Sequence, residues 1–247
     1  MMPESAPGPD DLLDRLTQVR QRIEASAVRA GRDPAGIKLI AVSKTHPPGL
    51  VRRAIDAGVS DLGENRVQEA DSKIGELGRE SARWHLIGHL QANKAGRAVA
   101  LFDVIHSLDS ASLALRLDRL CNELGRDELP VLIQLDLGNE PTKSGATEDE
   151  LPEIVKAVGE CTRLRLIGLM ILPPLFEEAE LVRPYFRRLR EIRDALNEKS
   201  SFGGSPGELS MGMTHDYEIA IEEGATFVRI GTAIFGARGS EATMKSH

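Results

Sequence analysis

The chain has 247 residues, 41% of them hydrophobic and 28% charged. That is ordinary globular composition, with enough length for one domain to bury a large core. A formal net charge of −7 opposes the non-specific attraction to nucleic acid that a basic surface gives, so any anionic ligand must be held by a local site.

No apolar run approaches the roughly 20 residues that span a bilayer. The opening residues 1–11, Pro-rich and acidic, lack the basic-then-apolar order of a signal peptide. The expectation is a cytoplasmic protein with no membrane or nucleic-acid partner. Cys121 and Cys161 sit in apolar helical patterns and read as core thiols, not a disulfide.

In chain order, the spacing first predicts a helix over 11–30, with Leu12, Leu16, Val19 and Ile23 on one face and Gly31 and Pro34 to stop it. The pattern then alternates. Strands are predicted at 38–43, 61–63, 85–88, 104–108, 131–137, 166–172, 209–211 and 227–230. Amphipathic helices are predicted between them, at 50–57, 66–77, 92–98, 110–124, 148–161, 179–197 and 217–223. The strands at 61–63 and 209–211 are short and rest on the alternation. The Ser/Gly/Pro stretch 200–207 reads as a flexible connection into the seventh strand.

Strands alternating with helices imply right-handed crossovers and a parallel sheet. Eight of them after a leading helix predict an α/β fold: a single (β/α)8 TIM-type barrel with an extra N-terminal helix, a fold that takes about 250 residues. An open doubly wound sheet is the alternative. The expected domain is one unit over 1–247, with flexible tails at about 1–10 and 238–247.

Function in such a barrel sits where strands end and the following loops begin. Lys44 ends the first strand, and among eight lysines and 23 arginines it alone directly follows a strand at its C-terminal end. A flexible amine in a partly apolar mouth can lose its proton and attack an aldehyde; the position also fits a phosphate clamp or a solvated lysine. Strand alternation puts Phe227, Arg229 and Gly231 on one face, so Arg229 points into the mouth if Val228 and Ile230 face the helices. It then needs an acceptor, which could be a ligand or an internal carboxylate. Gly231-Thr232-Ala233 after the eighth strand and Ser210-Met211-Gly212 after the seventh read as a phosphate cradle, or as ordinary turns.

Several segments together resemble the pyridoxal-phosphate homeostasis protein family, also called the proline synthetase co-transcribed family. They are Ala41-Val42-Ser43-Lys44-Thr45, Gly63-Glu64-Asn65-Arg66-Val67-Gln68-Glu69, His85-Leu86-Ile87-Gly88 with Leu90-Gln91-Ala92-Asn93-Lys94, Glu140-Pro141-Thr142-Lys143-Ser144-Gly145, Gly168-Leu169-Met170, Leu209-Ser210-Met211-Gly212-Met213 and Val228-Arg229-Ile230-Gly231-Thr232-Ala233-Ile234-Phe235-Gly236. The family's barrel is similar to the N-terminal domain of bacterial alanine racemase. The resemblance implies pyridoxal phosphate as cofactor, held as a Schiff base on Lys44. It implies phosphate ligands at Ser210, Gly231 and Thr232, Arg229 facing the pyridine nitrogen, and Asn65 and Met170 lining the pocket; Gly212 of the cradle is expected to bind the cofactor with them. The chain departs from the family pattern at His89, where proline is usual, at Thr214 and at Leu172.

The resemblance also implies vitamin B6 and amino-acid homeostasis without a defined reaction, hence no catalytic residue, and PLP-dependent apo-enzymes as partners. A guanidinium at the ring nitrogen weakens the ring as an electron sink. The chain is too short for the second domain that supplies alanine racemase with its tyrosine base; its own tyrosines are Tyr185 and Tyr217. A PLP-dependent racemase or lyase of low activity is the alternative, and a cofactor-free barrel acting on a sugar phosphate is another. No metal site is expected: His85 and His89 straddle a strand end without a third ligand.

Overall fold

The computed structural model describes residues 9–138 and 144–236. The helix α1, Pro9–Arg29, buries Leu12, Leu16, Val19 and Ile23 as one stripe, the face that the helical period dictates.

Eight strands follow, β1 Lys38–Val42, β2 Asp61–Glu64, β3 Arg83–Leu86, β4 Val104–Leu108, β5 Leu129–Leu135, β6 Leu164–Ile171, β7 Glu208–Ser210 and β8 Phe227–Ile230. The helices between and after them are α2 Pro48–Asp56, α3 Val67–Leu77, α4 Ala95–Leu101, α5 Ala111–Glu123, α6 Leu151–Glu160, α7 Arg183–Glu198, α8 Tyr217–Glu222 and α9 Thr232–Phe235.

The strands pair in chain order, all parallel, and β8 returns to β1 with Ile40 opposite Arg229. The sheet is therefore a closed barrel and not the open alternative. The two short strands, β2 and β7, are both present.

Strand alternation sorts the core into two layers. Ala41, Leu62, Trp84, Ile105, Ile133, Leu209 and Val228 pack outward in the cluster shared with the helices. Ile40, Val104, Leu132, Ile167, Met170 and Phe227 form a separate cluster inside the barrel.

Where element bounds differ from the sequence pattern, proline explains most of it. Helix 179–197 divides into a 3₁₀ turn, Ala179–Val182, and α7, because Pro184 begins the α-helix; helix 148–161 starts at Leu151 for the same reason, with Pro152 in its first turn. Proline lacks the N–H that an interior helical position needs, yet suits the first turn. Stretch 200–207, expected to be a flexible linker, is a turn pinned by the buried Phe202 ring, which a Cβ on Gly207 would meet at 2.5 Å. Cys121 and Cys161 are both free thiols.

Candidate functional site

The C-terminal ends of the strands form the barrel mouth. In β1, Ile40 points inward and Ala41 outward, so alternation gives Val42 the inward register; just past the strand end the Ser43 hydroxyl meets Glu64, and Lys44 follows in the turn. Lys44 is half-buried, and among the described residues its Nζ makes no hydrogen bond or ion pair.

Around it the chain makes a tight turn. The His46 amide donates to the Ser43 carbonyl at 3.1 Å, and Thr45 has φ +66°. Beneath the turn lies a buried polar cluster. Lys73 Nζ donates to the Ser43 carbonyl at 2.5 Å and to Glu64 and Glu69 at 2.7 Å each. The Ser43 hydroxyl donates to Glu64 at 2.6 Å, and the Thr45 amide donates to Glu69. Burial pushes the Glu64 carboxyl up against the pull of Lys73. At Glu69 burial pushes upward too, but Lys73 and the Thr45 amide outweigh it and hold the carboxyl below its usual range.

Arg229 of β8 is buried and does point inward, with no carboxylate partner among the described residues. Its guanidinium donates to Ser210 Oγ at 2.6 Å and to the Ile171 carbonyl at 2.7 Å. Burial brings its pKa down to about 10, with Asp216 working against the shift.

The Ser210 hydroxyl is one link in a longer chain. Ser210 Oγ meets His106 Nδ1 at 2.9 Å, His106 Nε2 meets His85 Nδ1 at 2.9 Å, and His85 Nε2 meets Asp61 Oδ1 at 2.9 Å. Burial holds both histidines below their ordinary pKa, His106 far below with His85 and Arg229 adding to it. At Asp61 burial acts upward, but the hydrogen bonds from His85 and Ser60 prevail and keep the carboxyl low.

With two neutral imidazoles and an ionised carboxylate, only one direction of donation is possible. His85 donates to Asp61, His106 donates to His85, Ser210 donates to His106, and Arg229 donates to Ser210. The chain crosses the barrel from the start of β2 to the mouth. It commits the Ser210 hydroxyl to the interior, so the part of Ser210 left to meet an anion is its backbone.

The remaining expected residues lie on the same rim. Gly231 precedes α9, whose first amides have no intrahelical acceptor; a Cβ on Gly231 would stand 3.2 Å from the Val42 carbonyl, so the ends of β8 and β1 touch here. Thr232 is exposed. Gly212, at φ +91°, has its Cβ direction filled by Ala220 at 2.6 Å, and its carbonyl accepts from the Arg229 amide at 2.9 Å. Asn65 is half-buried, and its Oδ1 is buried without a hydrogen-bond partner among the described residues. Met170 is wholly buried in the inner cluster beneath the mouth, opposite Ser210.

Of the family departures, His89 pairs with Asp109 at 3.2 Å and Leu172 packs on the inner cluster. Thr214 is half-buried. Residues 140–143 lie outside the described residues. Among the described residues no group of three or more His, Cys, Asp or Glu is placed to hold a metal, and no helix is long and apolar enough to cross a membrane.

Sequence reasoning found Lys44, Arg229 and the glycines because strand ends mark them. It missed Glu69 and Lys73, which look like a solvated i,i+4 pair on a surface helix. It also missed the His85–His106 contact, although a signal existed: both histidines occupy inward strand positions, where apolar residues are the rule.

Known proteins share this fold. Residues 15–239 match the family described as "Alanine racemase, N-terminal domain". The pyridoxal phosphate homeostasis protein of Escherichia coli K12 is 45% identical over 235 residues, covering 93% of this chain and 97% of that one. The protein of the same name from Aquifex aeolicus is 43% identical over 227 residues, covering 91% and 97%. Among solved structures, PipY of Synechococcus elongatus with PLP bound aligns with a TM-score of 0.78 at 37% identity, covering 91% of this chain and all of that one. The chain belongs to the pyridoxal phosphate homeostasis protein family, with a barrel of the alanine racemase N-terminal type.

Proposed function

We propose that this chain is a pyridoxal phosphate-binding protein of intracellular vitamin B6 and amino-acid homeostasis, one barrel domain over 1–247 that holds the cofactor as a Schiff base on Lys44. One observation carries the reading. A half-buried lysine at the end of β1 with no ion pair among the described residues, a buried guanidinium and a glycine-lined rim lie where β1 meets β8. A phosphorylated aldehyde with a ring nitrogen matches those three features in one molecule, and PipY is a relative solved with PLP bound.

The residues fit the group. Lys44 supplies the amine. Gly231, Thr232, Gly212 and the Ser210 backbone let the chain approach a phosphate, and Asn65 Oδ1, buried and unpartnered among the described residues, offers an acceptor to the occupant. Met170 closes the floor.

When bound, the cofactor supplies an aldehyde that takes up amines and a ring that withdraws electrons. Arg229 limits the second property. Even with its pKa lowered to about 10 it stays charged near neutral pH, so it stabilises the ring nitrogen without protonating it.

A two-base amino-acid reaction also needs a second acid or base above the site. Tyr217 packs under Arg22 of α1 and Tyr185 against Phe176, both on the helical side. His46 is on the rim, stacked on Phe235 at 4.9 Å. We read the role as holding and releasing the cofactor, and propose PLP-dependent apo-enzymes as recipients and the cytoplasm as the compartment.

The test incubates loaded protein with L-alanine and with a PLP-dependent apo-enzyme. Recovery of the apo-enzyme's activity, with no change in enantiomer ratio and no keto acid formed, is the expected outcome. Sustained amino-acid turnover at about 1 per second or faster would contradict it.

A further inference from the structure

Residues 43–46 form a four-residue turn closed by the bond from the His46 amide to the Ser43 carbonyl, with Lys44 and Thr45 at its centre. A positive φ at the third position is the signature of a type II turn, where glycine is normal. Here that position is Thr45 at +66°, a β-branched residue in the left-handed region and a genuine outlier. Such strain persists only where the surroundings over-determine it.

The surroundings are visible. Lys73, only 4% exposed, has three protons to donate. All three find acceptors, namely the Ser43 carbonyl, Glu64 and Glu69. Glu69 in turn accepts from the Thr45 amide. The peptide groups on both sides of Lys44 are thus held by two side chains of one helix. A buried charged cluster is a costly way to gain stability, so its convergence on these two peptides calls for another purpose.

We propose that Glu69 and Lys73 are positioning residues for Lys44: they clamp the strained turn that aims its amine into the mouth. This rests on the reading of Lys44 as the cofactor lysine. Their contacts with the turn are to the Ser43 carbonyl and the Thr45 amide, not to the Lys44 amine. Both act through the backbone, and Thr45 is where their action is concentrated. Without Glu69 the left-handed turn relaxes and Lys44 leaves its place at the end of β1. A glycine at 45 adopts positive φ without the clamp, so it should make the turn less dependent on Glu69.

The test uses the full-length protein titrated with pyridoxal phosphate, followed by borohydride reduction and peptide mapping, for wild type, Glu69→Ala, Thr45→Gly and the double variant. Thr45→Gly should bind as wild type does. Glu69→Ala should lose about tenfold in affinity through misplacement of the amine, with a slower rise of the visible band, and the double variant should regain most of that loss. Glu69→Gln, which keeps an acceptor for the Thr45 amide, substitutes should Glu69→Ala fail to fold, with a smaller loss expected. Unchanged affinity in the Glu69 variant, or a loss that Thr45→Gly does not recover, would overturn the positioning role. A wild-type adduct on any residue but Lys44 would instead defeat the reading of Lys44, so the two failures are distinguishable.

Discussion

His85, His106 and Ser210 are buried polar side chains inside a barrel whose other inward positions are largely apolar, and their order follows from protonation. Because burial depresses both histidines, the folded protein resists protonating them, while the unfolded chain takes up protons near the ordinary value of about 6.5. The sign follows from linkage. Below that value the unfolded state binds more protons, so stability falls as pH drops toward the folded pKa, by up to about 1.4 kcal/mol per pH unit for each histidine. Glu64 and Asp216, both raised by burial, act in the opposite direction on acidification, so the wild-type curve alone cannot isolate the histidines. His106→Gln can, since an amide offers N–H donors and a carbonyl acceptor without titrating. Urea unfolding between pH 6.5 and 5 should show a shallower loss for His106→Gln than for wild type. Equal slopes would mean that His106 is not held neutral by the fold.

At the scale of elements, the loop from β7 into α8 depends on Gly212. Its φ of +91° and a Cβ direction that runs into Ala220 at 2.6 Å and Tyr217 Cα at 2.9 Å leave no room for a side chain. Gly212→Ala should cost about 2 kcal/mol or more from strain and overpacking together, lowering the melting temperature by roughly 4–8 °C in a chain of this size. Gly75, exposed in α3 with nothing near its Cβ direction, is the control. Gly75→Ala should be neutral or stabilising by up to about 1 kcal/mol, and equal melting shifts for the two variants would refute the argument.

The elements themselves were largely legible, because periodicity switches from 2 to 3.6 at each strand–helix junction and barrel alternation supports even a three-residue strand such as β7. What periodicity cannot see is register. The shifts between Ile105 and Leu108 in β4 and between Val131 and Leu132 in β5 leave no local trace. The fifth strand is predicted at 131–137, whereas β5 begins at Leu129 and takes in Pro130, a residue that strand interiors usually exclude. For the same reason the reading assigns Lys44 and Arg229 from position alone, whereas the partners of Lys73 and His106 are on other elements and need the closed barrel to be named.

For the whole molecule, a net charge of −7 means that an anionic cofactor is attracted by a local arrangement and not by the surface at large. That arrangement is one end of the barrel. There the β1 turn and the β8 rim meet, and polar clusters reach it from two sides, one beneath α3 and one through the barrel interior. The central claim is that the covalent anchor is the lysine at this junction and no other. The chain contains eight lysines, including the buried Lys73 close by, Lys94 after β3, and Lys143. The most direct measurement is borohydride reduction of the loaded wild-type protein followed by peptide mapping of the pyridoxyl adduct. The account predicts a single adduct, on Lys44, with loss of the visible band in Lys44→Ala; an adduct on Lys73, Lys94 or Lys143, or a Lys44→Ala protein that keeps the wild-type band, would contradict it.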